Sequence, residues 1–343
     1  MTVPLSIVAP CFNEAPTLET LFARCAAAAE AAVGPDFEIV LVNDGSKDNS
    51  WEVLQRLAAA DPRLVAVNLS RNHGHQLALT AGLDLCSGEK ILIIDADLQD
   101  PPELLTPMLA EMEAQGADVV YGLRRARAGE TAFKRSTAKL FYAGLSQLAE
   151  IDIPRDTGDF RLMSRRALDA LLSLPEQARF IRGMVAWVGF RQVPYMYDRA
   201  ERFAGKTKYS LGKMIRFALD AVTGFSTAPL RFASHFGMWL VLGTILLALY
   251  ILYGWLSGNA AQGWTSMMLV VVALGAVQMF VLGMIGEYLG RLYIESKHRP
   301  LYIVSEIAGR AGGGHRKLGH IAEGAESTAT IETPGGNGNL PIA

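Results

Sequence analysis

The chain has 343 residues and a formal net charge of −2, so its overall charge provides no basic field that would recruit nucleic acid. Hydrophobic residues make up 50% of the chain and charged residues 19%, and the mean hydropathy is +0.21. These values exclude a disordered polar chain and argue against a wholly soluble protein. The three cysteines are too few and too scattered for a disulfide framework or a structural zinc site, which favours a reducing compartment.

Residues 1–205 predict an α/β domain, because short apolar runs alternate with alanine- and leucine-rich helical stretches. The predicted strands are residues 5–9, 38–43, 64–69 and 90–94, and the predicted helices between them are residues 17–32, 50–59 and 76–85. This alternation is typical of a mostly parallel sheet that is covered by helices on both faces. Ligands of such sheets bind at the carboxyl ends of the strands.

Acidic residues follow the fourth predicted strand directly, in the segment Asp95-Ala96-Asp97-Leu98-Gln99-Asp100. Asp100 can be explained as the cap of a helix that starts at Pro101, but capping explains neither Asp95 nor Asp97. Because an unpaired carboxylate is costly to bury, a cation or a nucleotide is the better explanation for these two acids. Hard divalent ions take oxygen ligands, so the segment is a candidate site for Mg²⁺ or Mn²⁺.

Two other polar motifs admit a local structural explanation. The segment Asn43-Asp44-Gly45-Ser46 follows the second predicted strand and can be a turn that caps the next helix. His73 and His75 lie two residues apart in a predicted loop with no third metal ligand beside them. We therefore interpret the two histidines as local structure near a nucleotide.

Four motifs, in this order and spacing, resemble those of family 2 glycosyltransferases with the GT-A (Rossmann-like) fold. They are Pro10-x-x-Asn13-Glu14, Asn43-Asp44-Gly45-Ser46, Asp95-x-Asp97-x-Gln99-Asp100-Pro101-Pro102-Glu103 and Asp156-Thr157-Gly158-Asp159-Phe160-Arg161. More narrowly, the chain is similar to the polyprenyl-phosphate sugar synthases, the group of dolichol-phosphate mannose synthase and the bacterial undecaprenyl-phosphate glucosyltransferases. The similarity runs from about residue 4 to residue 300. Cys11 and Phe12 stand where the family often has other residues.

The resemblance implies roles for these motifs in binding a nucleotide sugar and a metal ion. The implied contacts of the nucleotide sugar are Pro10, Asn13, Glu14, Asp44 and Asp95. The implied ligands of Mg²⁺ or Mn²⁺ are Asp95, Asp97 and Gln99. The implied catalytic residues are Asp97, Asp156, Asp159 and Arg135. A phosphate acceptor is already largely deprotonated at neutral pH, so we interpret Asp156 and Asp159 as orienting groups before bases. Capping of the predicted helix 165–172 is the alternative for both.

A basic stretch is expected on the acceptor side, because the implied acceptor is a phosphate on a lipid. The candidate contacts of the lipid phosphate are Arg124, Lys134, Arg135 and Ser136. Arg135 is the preferred contact, since a guanidinium group donates two hydrogen bonds to phosphate oxygens. The alternative is that these charges form the solvated face of a helix. The segment Phe180-Ile181-Arg182-Gly183 also recurs in the family, next to the acceptor groove.

Two uncharged apolar runs, residues 236–256 and 258–286, predict membrane spans, since each supplies about 20 strongly apolar positions for a hydrocarbon core of roughly 30 Å. Arg231 precedes the first run, and Arg291, Lys297 and Arg299 follow the second, which predicts a hairpin with both flanks in the cytoplasm. The expected location is the inner membrane, as a multi-pass protein with both termini cytoplasmic.

The predicted domain order follows from these features. It is a cytoplasmic GT-A catalytic domain at 1–205, an amphipathic interface region at 206–231, two transmembrane helices within 232–290 (about 235–257 and 263–286), a cytoplasmic juxtamembrane segment at 291–311 and a disordered tail at 312–343. Near the first boundary, Arg202 and Lys206 belong to a basic loop that would close over the diphosphate or would only be attracted to the membrane surface.

The sequence thus predicts an inverting transferase that moves one sugar from a nucleotide donor to undecaprenyl phosphate, with UDP-glucose as first choice of donor. GDP-mannose and UDP-linked amino sugars stay open as donors. A processive synthase is disfavoured, because Gln177-Ala178-Arg179-Phe180 lacks the Gln-x-x-Arg-Trp motif. A non-catalytic membrane scaffold is disfavoured by the complete set of acids and cations. Related proteins also suggest assembly of the spans into a homo-oligomer.

Overall fold

A computed structural model of the chain describes residues 3–124, 157–198, 228–257 and 263–309. Its strands are β1 (Leu5–Cys11), β2 (Phe37–Asn43), β3 (Leu64–Leu69), β4 (Lys90–Ile93), β5 (Val119–Arg124), β6 (Thr157–Ser164), β7 (Gln192–Tyr197) and β8 (Val304–Ala308). Its α-helices are α1 (Ala15–Val33), α2 (Ser50–Ala60), α3 (His75–Leu85), α4 (Leu105–Gln115), α5 (Arg165–Leu172), α6 (Ile181–Trp187), α7 (Ala228–Leu256) and α8 (Trp264–Ser296), with a short 3₁₀ helix at Pro102–Leu104.

The described strands form one sheet in the order β7-β5-β6-β4-β1-β2-β3-β8. Strand β1 lies parallel to β2 and β4, β2 lies parallel to β3, and β5 lies parallel to β7. The pairs β4–β6, β5–β6 and β3–β8 are antiparallel. The prediction of a mostly parallel α/β sheet is therefore confirmed.

Helices cover both faces of the sheet, which explains why its central strands are predominantly apolar. Every residue of β1 and β2 is buried. On one face these strands pack with Leu18 and Leu21 of α1 and Met108 of α4, and on the other with Leu79 of α3 and Leu168 of α5. A strand that is buried on both faces needs a continuous apolar run instead of an alternating pattern.

The strand register brings the polar loops of the sheet together. In the parallel pair β1–β2, Cys11 lies opposite Asn43, so the loops that begin at Phe12 and Asp44 are neighbours. In the antiparallel pair β4–β6, Ile93 lies opposite Arg161. Asp95 lies two residues after Ile93, and Asp159 lies two residues before Arg161. The two aspartates therefore meet at the same edge of the sheet.

Helices α7 and α8 are long and apolar enough to cross a membrane. The qualifying segments are Leu230–Leu247 and Val270–Ser296, with mean hydropathies of 1.4 and 2.0. Only 6% and 0% of these segments are buried within the protein, so their apolar side chains are not explained by packing in a soluble core. Helix α7 begins before the predicted span 235–257, and α8 ends after the predicted span 263–286. The predicted interface region 206–231 lies outside the described residues except for its last four positions, and so does the predicted tail 312–343.

After α8 the chain returns to the α/β domain, which the sequence analysis did not predict. Helix α8 ends at Ser296, His298 adopts a left-handed conformation with φ 46°, and Pro300 cannot continue a helix. Strand β8 then pairs with β3 at the edge of the sheet. The segment 291–311, predicted only as juxtamembrane, thus includes the last turns of α8 and a strand of the sheet.

Candidate active site

The loop after β2 is held against the loop after β3 by the carboxylate of Asp44. Its two oxygens accept hydrogen bonds from the backbone N–H groups of His73, at 2.7 Å, and Gly74, at 3.0 Å. Burial raises the pKa of Asp44, and these two hydrogen bonds oppose the rise in part. Asp44 is therefore fixed at the carboxyl edge of the sheet.

Gly45 is required for this contact between the loops. Its φ is +63°, a conformation that residues with side chains rarely adopt. A Cβ atom at this position would lie 2.5 Å from the backbone of both Arg71 and Asn72. The glycine of the Asn-Asp-Gly-Ser motif thus lets the two loops approach closely beside Asp44.

Asn13 and Glu14 organise the loop that follows β1. Asn13 has a φ of 56°, its backbone N–H donates to Ser46 Oγ at 2.9 Å, and its side-chain oxygen accepts from the backbone N–H of Lys47 at 2.7 Å. The backbone N–H of Glu14 donates to Ser50 Oγ at 3.1 Å. Pro10 is buried within β1, opposite Val42. These contacts connect the first motif to the second.

Asp159 lies at the centre of a cluster of charged and polar side chains. The side chains that contact it are His75 (Nε2 to Oδ2, 3.2 Å), Gln76 (Nε2 to Oδ2, 3.1 Å) and Arg182 (Nε to Oδ1, 2.8 Å, and Nη2 to Oδ2, 3.3 Å). Asp95 joins the cluster through His75, with 3.5 Å between Asp95 Oδ1 and His75 Nε2. Helix α3 supplies the histidine and the glutamine from its first two positions, and α6 supplies the arginine.

The cluster keeps the Asp159 side chain, which is 3% exposed, as a carboxylate. Burial by itself would raise the pKa of Asp159, but the hydrogen bond with His75 and the charge of Arg182 hold it well below its usual range. Burial raises the pKa of Asp95 to about 6, although His75 opposes the rise. The pKa of His75 is raised, because its contacts with Asp159 and Asp95 outweigh its partial burial.

The acids after β4 fit a divalent cation. Asp95 Oδ1 is buried and accepts no hydrogen bond from any described residue, with His75 Nε2 3.5 Å away, so a cation would be a favourable partner for this oxygen. Asp97 Oδ1 accepts the backbone N–H of Gln99 at 3.1 Å, and Gln99 is buried. His75, Asp95 and Asp159 also offer three ligand atoms within 4.8 Å of one another. In that second set Asp159 is already paired with the guanidinium of Arg182, at 2.8 Å.

Several predicted site residues lie outside the described residues. They are Lys134, Arg135, Ser136, Asp156, Arg202 and Lys206. Arg124 is the last residue of β5, where the described part of that strand ends. The predicted lipid-phosphate site and the predicted diphosphate loop therefore stay predictions.

Asp95 and Asp159 form the acidic centre of the site, and the structure adds His75, Gln76 and Arg182 to the residues around it. The sequence analysis treated His75 as local structure for want of a third ligand, but the fold brings Asp95 and Asp159 to it. Gln76 also accepts the backbone N–H of Ile181 at 3.0 Å through its Oε1 atom. The recurring segment Phe180-Ile181-Arg182-Gly183 could have drawn attention to Arg182 as a functional residue. No local sequence pattern, however, predicts that Arg182 pairs with Asp159.

Comparison with known proteins identifies the family of this chain. Residues 6–172 match glycosyl transferase family 2. The chain is 45% identical over 309 residues to the uncharacterized glycosyltransferase YkcC of Bacillus subtilis, covering 90% of this chain and 95% of that protein. The chain therefore belongs to glycosyl transferase family 2 and is a glycosyltransferase.

Within the family, this chain is a homologue of the bactoprenol glucosyl transferases. It is 39% identical over 307 residues to the bactoprenol glucosyl transferase of Shigella phage SfV, covering 88% of this chain and 97% of that protein. A solved structure of glucosyl-3-phosphoglycerate synthase from Mycobacterium tuberculosis, in complex with Mn²⁺, UDP-glucose and phosphoglyceric acid, is among the structures that this chain matches. It is 21% identical, with a TM-score of 0.44 and coverage of 65% of this chain and 79% of that one.

Proposed function

We propose that this protein transfers one glucose from UDP-glucose to undecaprenyl phosphate at the cytoplasmic face of the inner membrane, with inversion at the anomeric carbon. The observation that carries the proposal is that one chain combines an acidic centre at the carboxyl edge of a GT-A-like sheet with two long apolar helices that the protein leaves uncovered. Similarity to the bactoprenol glucosyl transferases of Shigella phages supports the choice of sugar and acceptor.

The donor binds at the edge formed by the loops after β1, β2 and β4. In this proposal Pro10, Asn13, Glu14 and Asp44 form the base and ribose site, and Asp95 faces the ribose side. The contacts of Asp44 with the backbone of His73 and Gly74 support a rigid pocket at this edge. Arg202 and Lys206 are proposed to neutralise the diphosphate from a loop that closes over it.

Asp95, Asp97 and Gln99 are the proposed holders of Mg²⁺ or Mn²⁺. When bound, the ion neutralises charge that develops on the nucleoside diphosphate leaving group. Asp95 suits this role because its Oδ1 atom is buried among charged groups without a hydrogen bond from a described residue. The backbone N–H of Gln99 orients the Asp97 carboxylate.

Asp159 is proposed to position groups around the reacting centre instead of removing a proton. A carboxylate whose pKa lies well below its usual range is a poor proton acceptor at neutral pH. A phosphate acceptor does not need a base, since its second pKa is near 6 and the dianion is present at neutral pH. Asp159 instead holds Arg182 and Gln76, while Asp156 and Arg135 stay proposed partners of the acceptor.

The acceptor side is proposed to use Arg124, Lys134, Arg135 and Ser136 as contacts of the lipid phosphate. Helices α7 and α8 would then anchor the protein in the membrane as a hairpin. The basic residues at the flanks, Arg231 before the hairpin and Arg291, Lys297 and Arg299 at its end, favour a cytoplasmic catalytic domain. Self-association of the hairpins is part of the proposal.

The test is transfer of label from nucleotide sugars to undecaprenyl phosphate by the purified full-length protein in detergent with Mg²⁺ or Mn²⁺. UDP-glucose, UDP-linked amino sugars and GDP-mannose are compared, and product is measured in the lipid phase. Asp97→Asn is expected to abolish transfer. Asp169→Asn, at a side chain of α5 that is 65% exposed, is the matched control. Labelling from another donor would correct the sugar, polymeric product would indicate a processive synthase, and no labelling from any donor would refute the proposed function.

A further inference from the structure

The end of helix α8 contacts the catalytic domain at the loop between α5 and α6. The Oε1 atom of Glu295 accepts the backbone N–H of Gln177 at 2.8 Å. The side-chain Nε2 atom of Gln177 donates to the backbone oxygen of Arg299 at 2.9 Å. One residue of the loop is therefore bonded twice to the segment that leaves the second apolar helix.

A group of charged side chains surrounds this contact. Arg179, two residues after Gln177, interacts electrostatically with the carboxylates of Asp84, Glu176 and Glu295. Its Nη1 atom donates to the backbone oxygen of Leu171 at 3.3 Å, which connects the loop to the end of α5. Glu295 thus provides both a hydrogen-bond acceptor for the loop backbone and a negative charge for the arginine of the loop.

The same loop leads directly into the acidic centre. The backbone N–H of Ile181 donates to Gln76 Oε1 at 3.0 Å, and Gln76 Nε2 donates to Asp159 at 3.1 Å. The next residue, Arg182, pairs with Asp159 at 2.8 Å. Only three residues lie between Gln177, whose backbone N–H binds Glu295, and Ile181, whose backbone N–H binds Gln76.

The rest of the returning segment is anchored to helices α2 and α3 and to the loop after β3. Tyr302 donates its hydroxyl to Asp84 Oδ2 at 2.8 Å, and the backbone oxygen of Ile303 accepts from Ser70 at 2.9 Å. Glu306 of β8 accepts from Trp51 Nε1 at 3.1 Å and from Gln55 Nε2 at 2.9 Å. Because the segment is fixed to the sheet beyond Glu295, this glutamate can act as a firm attachment for the loop.

We propose that Glu295 is a positioning residue of the active centre: by holding the loop at Gln177, it sets where Arg182 meets Asp159. The inference rests on the proposed function and adds to it a link between the membrane hairpin and the reacting groups. Glu295 touches neither substrate in this proposal and acts through Arg182. The link makes the end of α8 part of the catalytic geometry, in addition to its role as an anchor.

The test compares three variants of Glu295 with a matched control in the full-length protein. Glu295→Ala removes the acceptor, Glu295→Asp retracts it by one methylene group, and Glu295→Gln retains an Oε1 acceptor. Glu287→Ala is the control, because Glu287 lies two turns earlier on α8, is 57% exposed and pairs with Arg291 of its own helix. Displacement of a catalytic contact by about 1 Å can cost up to 100-fold in rate, and Arg299 and Leu171 still hold the loop, so we expect kcat to fall about tenfold for Glu295→Ala.

The expected order of kcat is Glu287→Ala equal to wild type, Glu295→Gln close to it, Glu295→Asp about threefold lower and Glu295→Ala lowest. In an Arg182→Lys background, Glu295→Ala should cost clearly less than in the wild type, because two residues that act through one contact are not additive. An equal cost in both backgrounds, or full activity of Glu295→Ala, would overturn the proposal. If the alanine variant does not fold, the aspartate variant in the same two backgrounds decides.

Amide hydrogen exchange provides a readout that does not depend on sugar transfer. Faster exchange in residues 176–187 of Glu295→Asp, with Glu287→Ala unchanged, supports the positioning role. Unchanged exchange in that segment refutes it. A wild-type protein that transfers no sugar in the transfer assay counts against the proposed function. An active wild-type protein whose kcat and amide exchange do not change when Glu295 is replaced counts against the inference alone.

Discussion

Replacing Arg182 by alanine tests whether Asp159 depends on its ion pair. The Asp159 side chain is 3% exposed and the Arg182 side chain 32%, so the variant leaves a buried carboxylate with His75 and Gln76 as its remaining side-chain partners among the described contacts. Breaking a fully buried pair costs about 3–5 kcal/mol. Because Arg182 is partly exposed and two donors remain, we expect a loss of about 2 kcal/mol in the free energy of unfolding.

A loss of this size corresponds to a fall of about 4–8 °C in melting temperature for a domain of roughly 200 residues. The measurement is a melting curve of the purified protein by intrinsic fluorescence at fixed detergent and scan rate. Arg56→Ala is the control, since Arg56 pairs with Glu19 at the surface and both side chains are more than 60% exposed. Exposed pairs contribute about 0–1 kcal/mol. If Arg182→Ala has the same melting temperature as the control variant, the buried Asp159 carboxylate does not need its guanidinium partner, and the electrostatic reasoning fails.

Three further outcomes are expected. Gly45→Ala should weaken UDP binding at least about tenfold in a binding titration, because the added Cβ atom would lie 2.5 Å from the backbone of the neighbouring loop. Gly34 has a similar φ of +78° with open space around it, so the control Gly34→Ala should leave the affinity for UDP unchanged. Removal of divalent ions with EDTA should abolish sugar transfer, and Mg²⁺ or Mn²⁺ should restore it in the wild type but not in Asp97→Asn; transfer that survives chelation would exclude the proposed metal site. His298→Gly should raise the free energy of unfolding by about 0.5–1 kcal/mol, since φ 46° strains a residue with a side chain, and an unchanged melting temperature would show that this strain is absent.

Much of the sheet was predictable because strands buried on both faces carry long apolar runs. The predicted strand 64–69 coincides with β3, and the others differ from the observed strands by one or two residues at an end. Strand β8 was missed, because Val304–Ala308 is a short, half-exposed edge strand whose pairing with β3 depends on a chain reversal after α8. Its burial pattern carries little information without the partner strand.

The residues of the candidate site likewise fall into those that the sequence could predict and those that it could not. Asp95 and Asp97 could be singled out because they follow an apolar strand directly, where a buried carboxylate needs a partner. His75, Gln76 and Arg182 could not be assigned to Asp159, because their contacts join α3, β6 and α6, which are distant in the chain. Asp159 was placed in the site by resemblance, but its pKa is lowered, against the effect of burial, by His75, Arg182 and Arg161, which only the fold brings near it.

By itself the sequence determined the class of fold, the two apolar helices and the acids after β4, since each depends on local hydrophobic pattern and on residue type. The tertiary structure decided which groups meet those acids, how Gly45 lets two loops close beside Asp44, and where Glu295 is bonded to the catalytic domain. The physical reason is the range of the interactions. Apolar periodicity acts along a few turns of chain, whereas ion pairs and sheet register act between segments that only folding brings within about 3 Å.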